Sequence, residues 1–185
     1  MLRAIALVVA ILTLSAPARA YENPLSRALS DFLNVFSEQA IPRRTVPWRG
    51  RETPGTIVIS TSQRRLYYIL GDGQALRYGV GVGRRGFSWS GTKTVTMKRE
   101  WPDWRPPAQM LKRRPDLPRY MRGGIENPLG ARALYLGSSL YRIHGSNEPD
   151  TIGAAVSSGC IRMTNRDVTD LYDRVRIGTK VIVLG

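Results

Sequence analysis

The chain reads as a mainly β domain with one or two short helices, and two observations predict this. From Thr56 onward, short runs rich in Val, Ile, Thr and Tyr alternate with turns built on Gly and Asp, the pattern of paired strands. Only two stretches, 21–39 and 168–175, repeat apolar residues at helical spacing.

Taken in order, residues 1–20 have the layout of an export signal. Arg3 precedes an apolar run, Ala4 to Leu14, too short to span a bilayer, and Ala18-Arg19-Ala20 supplies the small-residue cleavage pattern. Removing it would leave Tyr21 to Gly185, enough chain for one domain with its own core. In 21–39, Leu25, Leu29, Phe32, Leu33 and Phe36 share one helical face, with Asn23 placed to cap and Pro24 in the first turn. That helix is expected to pack outside the domain. Ile41 to Pro54 carries three prolines and a basic cluster with no period and reads as a linker, so the domain is expected to run from 55 to 185.

Thr56–Ser60 and Arg65–Leu70 are predicted strands, joined by Thr61-Ser62-Gln63-Arg64 as a hairpin. Gly71-Asp72-Gly73 turns the chain into a third strand, Ala75 to Gly83, whose glycines allow a bend. The Gly79-x-Gly81-x-Gly83 spacing is not a nucleotide loop, since neither a helix nor a Lys-Ser/Thr pair follows. Thr92–Met97 alternates as a fourth strand. Lys98 to Arg122 then breaks the pattern, with eight Lys/Arg and five prolines interleaved with Trp101, Trp104 and Tyr120. A mixture of cations and aromatics can hold single-stranded nucleic acid. A segment this long inside one domain reads better as a functional loop over a pocket. Ala131–Leu136 and Leu140–His144 are predicted strands. Thr164 opens a helix that carries Val168, Leu171, Tyr172 and Val175 and ends by Gly178, and Thr179–Leu184 is the last strand.

The chain holds one cysteine, Cys160, and one histidine, His144. Exported proteins use cysteines in pairs as staples, so a single one calls for another explanation. One Cys and one His fall short of the four ligands of a structural zinc site, and no metal or cofactor is expected. A thiol is nucleophilic as its thiolate, and an imidazole within reach can take the proton and return it to a leaving amine. A thiol paired in that way is expected to react below pH 7. Gly145 would let the chain turn after the base, and Gly159 would let backbone approach a substrate beside the nucleophile.

His144-Gly145, followed at this distance by Ser157-Ser158-Gly159-Cys160-Ile161-Arg162, resembles the active-site motif of the YkuD-type L,D-transpeptidases. Ser158 stands where many members have a second histidine. Two further passages resemble the family: the opening strands up to Gly79-Val80-Gly81-Val82-Gly83, and Gly123-Gly124-x-x-Asn127-Pro128-Leu129-Gly130 with Ala131–Leu136. The resemblance implies a β-sandwich-like barrel over 55–185, with Cys160 as nucleophile and His144 as general base and acid. It implies that the Gly145 carbonyl orients the imidazole, Glu148 and Asp150 being the alternatives. It also implies an oxyanion hole of backbone N–H groups around Ser158, Gly159 and Cys160. Arg162, Ser157, Trp104, Arg113, Arg114 and Tyr120 are the substrate-binding candidates, the arginines for stem-peptide carboxylates. For Arg162 a structural ion pair is the alternative.

The implied reaction is cysteine acyl transfer from a peptidoglycan tetrapeptide stem, with release of D-Ala, to an amine acceptor. That acceptor would be another stem or an outer-membrane protein or lipoprotein, and carbapenems would acylate the same cysteine. Water as acceptor would make the site an L,D-carboxypeptidase, and an inert Cys160 would leave a basic wall-binding protein. The formal charge of +14 suits a polyanion. With no nucleic-acid motif legible, the carboxylate-bearing wall of the periplasm is the expected partner.

Overall fold

A computed structural model describes residues 41–185 together with Pro24 and Leu25, so the expected export signal and nearly all of the expected 21–39 helix lie outside the described residues. Over the described residues 41–185 the chain is mainly β with two short α-helices. The strands are β1 (Arg44–Pro47), β2 (Ile57–Ser60), β3 (Arg65–Gly71), β4 (Gln74–Gly79), β5 (Val82–Gly83) and β6 (Gly91–Glu100). After helix α1 (Ala108–Arg113) come β7 (Arg132–Leu136), β8 (Arg142–His144), β9 (Ala155–Ser157) and β10 (Ile161–Arg162). Helix α2 (Asn165–Arg174) and strand β11 (Lys180–Leu184) complete the order. Among the described residues one sheet runs β1-β4-β3-β2-β11-β6-β7-β8-β10, and β5 pairs separately with β9.

Strand β6 makes this sheet into two layers. Gly91 to Thr94 pair with β11, whereas from Val95 onward the strand pairs with β7, with a register shift between Val95 and Met97. A bulge of this kind bends a strand and lets it change neighbours. Ile57, Ile59, Leu66 and Tyr78 from one layer then meet Leu134, Leu136, Ile143 and Ile161 from the other. Val168, Leu171 and Val175 of α2 join the same core. Removing the bulk of one such side chain costs about 2–5 kcal/mol. Past β4, Gly81 exchanges backbone hydrogen bonds with Arg162 of β10 at 2.9 and 2.8 Å. This joins the last strand of the sheet back toward its start and gives a barrel-like closure.

Several boundaries differ from the sequence reading, for tertiary reasons. Arg44–Pro47, within the stretch read as a linker, pairs antiparallel with β4. Val46 and Trp48 beside it cover a small apolar cluster of Val58, Ile69 and Ala75 on the outer face of the sheet. The third strand divides into β4 and β5 where the backbone turns to meet β10. Strand β6 extends to Glu100, which takes Lys98 out of the loop. Lys98 Nζ donates to Tyr172 O and Val175 O, each at 2.6 Å. A cation suits the carbonyl end of a helix. Helix α2 therefore stops at Arg174, with Val175 extended, and not at Gly178. Its start is as expected: Thr164 Oγ1 accepts the Asp167 N–H at 3.2 Å.

Candidate active site

Strands β8 and β10 are short neighbours in parallel register, with Ile161 opposite Ile143 and Arg162 opposite His144. Both isoleucines are fully buried in the core. Because side chains alternate along a strand, Arg142 and His144 of β8 and Arg162 of β10 lie on the opposite face, and Cys160, the residue just before β10, continues that alternation. The single thiol and the single imidazole thus sit on one face of adjoining strands, two positions apart in register.

His144 is buried, and its Nδ1 lies 2.6 Å from the carbonyl oxygen of Gly145. A carbonyl only accepts, so Nδ1 carries the proton and Nε2 is left with a lone pair. Neither Glu148 nor Asp150 takes that place; Glu148 is paired with Arg162 at 2.8 Å. The strand end is held by backbone bonds from Gly145 N to Arg132 O at 3.0 Å and from Met163 N to His144 O at 2.8 Å. Asn165, fully buried at the first turn of α2, accepts from Ala131 N at 2.7 Å and donates to Ser146 O at 3.0 Å. A Cβ on residue 145 would collide with the Asn165 amide oxygen, so glycine is required there for packing.

The cysteine loop is pinned from both sides. Ser157 Oγ donates to Cys160 O at 2.6 Å and accepts from Gly159 N at 3.1 Å. Gly159 has φ +108, a left-handed conformation that favours glycine. Trp89 Nε1 donates to Gly159 O at 2.7 Å, and the Trp89 ring stacks on Tyr141 with centroids 4.5 Å apart. Cys160 is half-buried, and its Sγ lies 3.7 Å from Leu140 O, an oxygen that also accepts from Arg142 Nη1 at 3.1 Å.

Burial dominates both titrations. It pushes His144 down to about 3, against the favourable carbonyl of Gly145, and the guanidiniums of Arg162 and Arg142 lower it further. Burial also pushes the Cys160 thiol up, opposed by Arg142 first and by Arg162. Both shifts favour the neutral form of their group at rest, whereas the sequence reading expects a thiol that reacts below pH 7. Charge separates only when the proton moves.

The remaining predicted residues divide. Ser158 lies 3.4 Å by its Oγ from Arg84 Nη1, and Arg113 stands over the Phe87 ring at 5.0 Å. Arg114 instead forms an exposed ion pair with Asp116 at 2.6 Å. Trp104 and Tyr120 serve the base of the long loop. Trp104 bridges to Met121 through backbone bonds of 2.8 and 2.9 Å, and the Tyr120 hydroxyl donates to Asp103 at 2.9 Å. Asn127, fully buried, donates to Pro102 O at 3.1 Å and Arg122 O at 2.9 Å, closing that base. Arg142, Asn165, Trp89 and Tyr141 carry no signal of their own in the sequence. Asn165 reads there as part of a helix start, and the other three as ordinary strand or loop residues.

Comparison with known proteins bears on the domain as a whole. Residues 54–183 match the family model of YkuD, the L,D-transpeptidase catalytic domain. The chain is 37% identical over 137 residues to a probable L,D-transpeptidase ErfK/SrfK of Escherichia coli, covering 69% of this chain and 43% of that protein. It is likewise 37% identical over 134 residues to the probable L,D-transpeptidase YbiS of the same organism. The chain spans under half the length of these curated relatives, 43% in each case. A crystal structure from Brucella melitensis, named as a probable carnitine operon oxidoreductase, is 43% identical with a TM-score of 0.54, covering 82% of this chain and 98% of that one. The fold matches that of an L,D-transpeptidase from Mycobacterium smegmatis, with a TM-score of 0.57 at 18% identity over 70% of this chain and 58% of that one. By the match over its domain and the identity to its relatives, the chain belongs to the YkuD family of L,D-transpeptidase catalytic domains.

Proposed function

We propose that the chain is a periplasmic peptidoglycan L,D-transpeptidase with Cys160 as nucleophile and His144 as the group that moves its proton. The observation that carries this reading is the shared face of β8 and β10, where the one thiol and the one imidazole stand and Nδ1 is tied to Gly145 O. With Nδ1–H committed, Nε2 takes the thiol proton as Sγ attacks the carbonyl carbon of the third stem residue. The C–N bond to D-Ala then breaks, the proton on Nε2 passes to the departing amine, and a thioester remains. An acceptor amine attacks the thioester and gives its proton to Nε2, and the sulfur leaves as the thiol is restored.

The developing oxyanion needs N–H donors. Gly159 N–H is engaged by Ser157, so the N–H groups of Ser158 and Cys160 are the pair assigned to that task. One such donor is worth about 3 kcal/mol in comparable sites. The chemistry draws on no cofactor. An amine from a second stem would give a 3–3 crosslink, and one from an envelope protein would anchor that protein to the wall.

The test is incubation of the chain and its Cys160→Ala variant with disaccharide-tetrapeptide, followed by mass spectrometry. A dimer lacking one D-Ala, absent with the variant, is the expected product. Tripeptide alone would make the enzyme a carboxypeptidase. Unchanged substrate, together with no acylation of Cys160 by a carbapenem, would overturn the reading.

A further inference from the structure

Arg84 and Arg113 come from distant parts of the chain and meet over one ring. Their guanidiniums lie 4.4 and 5.0 Å from the centroid of Phe87. A cation on a ring face is weakly favourable, whereas two like charges brought together repel. Neither guanidinium forms an ion pair among the described residues.

The turn that carries Arg84 and Phe87 is fixed to the cysteine loop. Arg84 N donates to Ser157 O at 3.0 Å, Phe87 N donates to Arg84 O at 2.8 Å, and Ser88 Oγ donates to Gly83 O at 3.3 Å. Arg84 Nη1 reaches to 3.4 Å from Ser158 Oγ, two residues before Cys160. Helix α1, inside the long loop, delivers Arg113 to the same ring. Two cations without counter-charges, one on a turn pinned beside the nucleophile and the other brought to the same ring by α1, gain most from a ligand that brings a negative charge.

We propose that Arg84 and Arg113, mounted on Phe87 beside Ser158, form a clamp for a carboxylate of the donor stem peptide. The identity of the ligand rests on the transpeptidase reading above. The clamp assigns to Arg84 the role that the sequence offered to Arg114, whose charge is matched by Asp116. The hydroxyl of Ser158, where many family members carry an imidazole, adds a neutral donor to the same anion. Two carboxylates of the stem share this chemistry, the terminal one of D-Ala and the one on the diamino acid side chain.

The experiment uses the full chain with Cys160→Ala, which binds without turnover. Calorimetric titrations compare the free-acid tetrapeptide, its C-terminal carboxamide, and the peptide amidated on the diamino acid. One amide is expected to bind about tenfold more weakly than the free acid, as loss of a charge-assisted hydrogen bond implies, and which amide it is identifies the carboxylate. Adding Arg84→Gln or Arg113→Gln should weaken the free acid by about the same factor and abolish the acid–amide difference. Both side chains are exposed, so neither change threatens the core. Equal binding of acid and both amides, an acid–amide difference that survives the arginine changes, or no binding at all would overturn the clamp. Absence of turnover by the unmodified chain, with the binding preference intact, would overturn the transpeptidase reading and leave the clamp standing.

Discussion

Cys160 and His144 are held by neighbours that do no chemistry themselves. The thiol is raised by burial and relieved in part by Arg142 and Arg162, while the imidazole is kept neutral by burial between the same two cations. With His144 pushed down to about 3, no imidazolium exists near neutrality to hold a thiolate. The sign follows directly: a raised thiol pKa means the thiolate fraction grows only as pH climbs past the ordinary thiol range. Alkylation of Cys160 by iodoacetamide is therefore expected to accelerate steadily with pH and to show no plateau below pH 7. Arg142→Gln, which removes the larger of the two opposing charges, should slow it further at every pH in that range. A plateau below pH 7 in the unmodified chain would show a resting ion pair and refute this account.

At the scale of elements, two polar side chains set where structure stops. Lys98 leaves the face of β6 to bind the last carbonyls of α2, with its ammonium 4.0 Å over the Tyr172 ring. A charge-assisted bond to a buried carbonyl contributes about 1.5–3 kcal/mol. Lys98→Met is accordingly expected to lower the urea midpoint by about that much free energy, since the carbonyls of Tyr172 and Val175 lose their donor. An unchanged midpoint would show that water replaces the ammonium at no cost. Asn127 does the corresponding work at the base of the long loop, where its amide joins Pro102 and Arg122 across the two ends. The loop that delivers Arg113 is thus a tethered arm, with α1 near its middle.

At the scale of the molecule, the sheet is continuous while its core lies between two layers, and side chains of and beside its edge strand β1 cover the outer face of one of them. Val46 and Trp48 shield Val58, Ile69 and Ala75, Trp48 packs on Tyr67 at 5.1 Å, and Arg43 pairs with Asp170 at 2.9 Å. A chain beginning at Gly55 is expected to melt about 5–10 °C below one beginning at Ile41. That figure follows from uncovering side chains worth about 2–3 kcal/mol. Equal melting temperatures for the two would place the structural boundary at 55, as the sequence alone suggests. Among the described residues no helix is long and apolar enough to cross a membrane.

The strand content, the hairpin of β2 and β3, the start of α2 and the choice of Cys160 and His144 as candidates were all legible in the sequence, because each depends on neighbours a few positions away. Alternation along β8 is a local property, and so is the capping of α2 by Thr164. The placement of Cys160 beside Arg142, the staple by Asn165, the Lys98 cap on α2 and the meeting of Arg84 with Arg113 depend instead on which strands pair and in what register. Sequence patterns within one strand carry no information about its partner, and a shift of one residue between β8 and β10 would turn Cys160 toward the core. The chemistry of the site was therefore written in local residue types, while its geometry, its electrostatic balance and its basic rim were decided only when distant strands closed into one sheet.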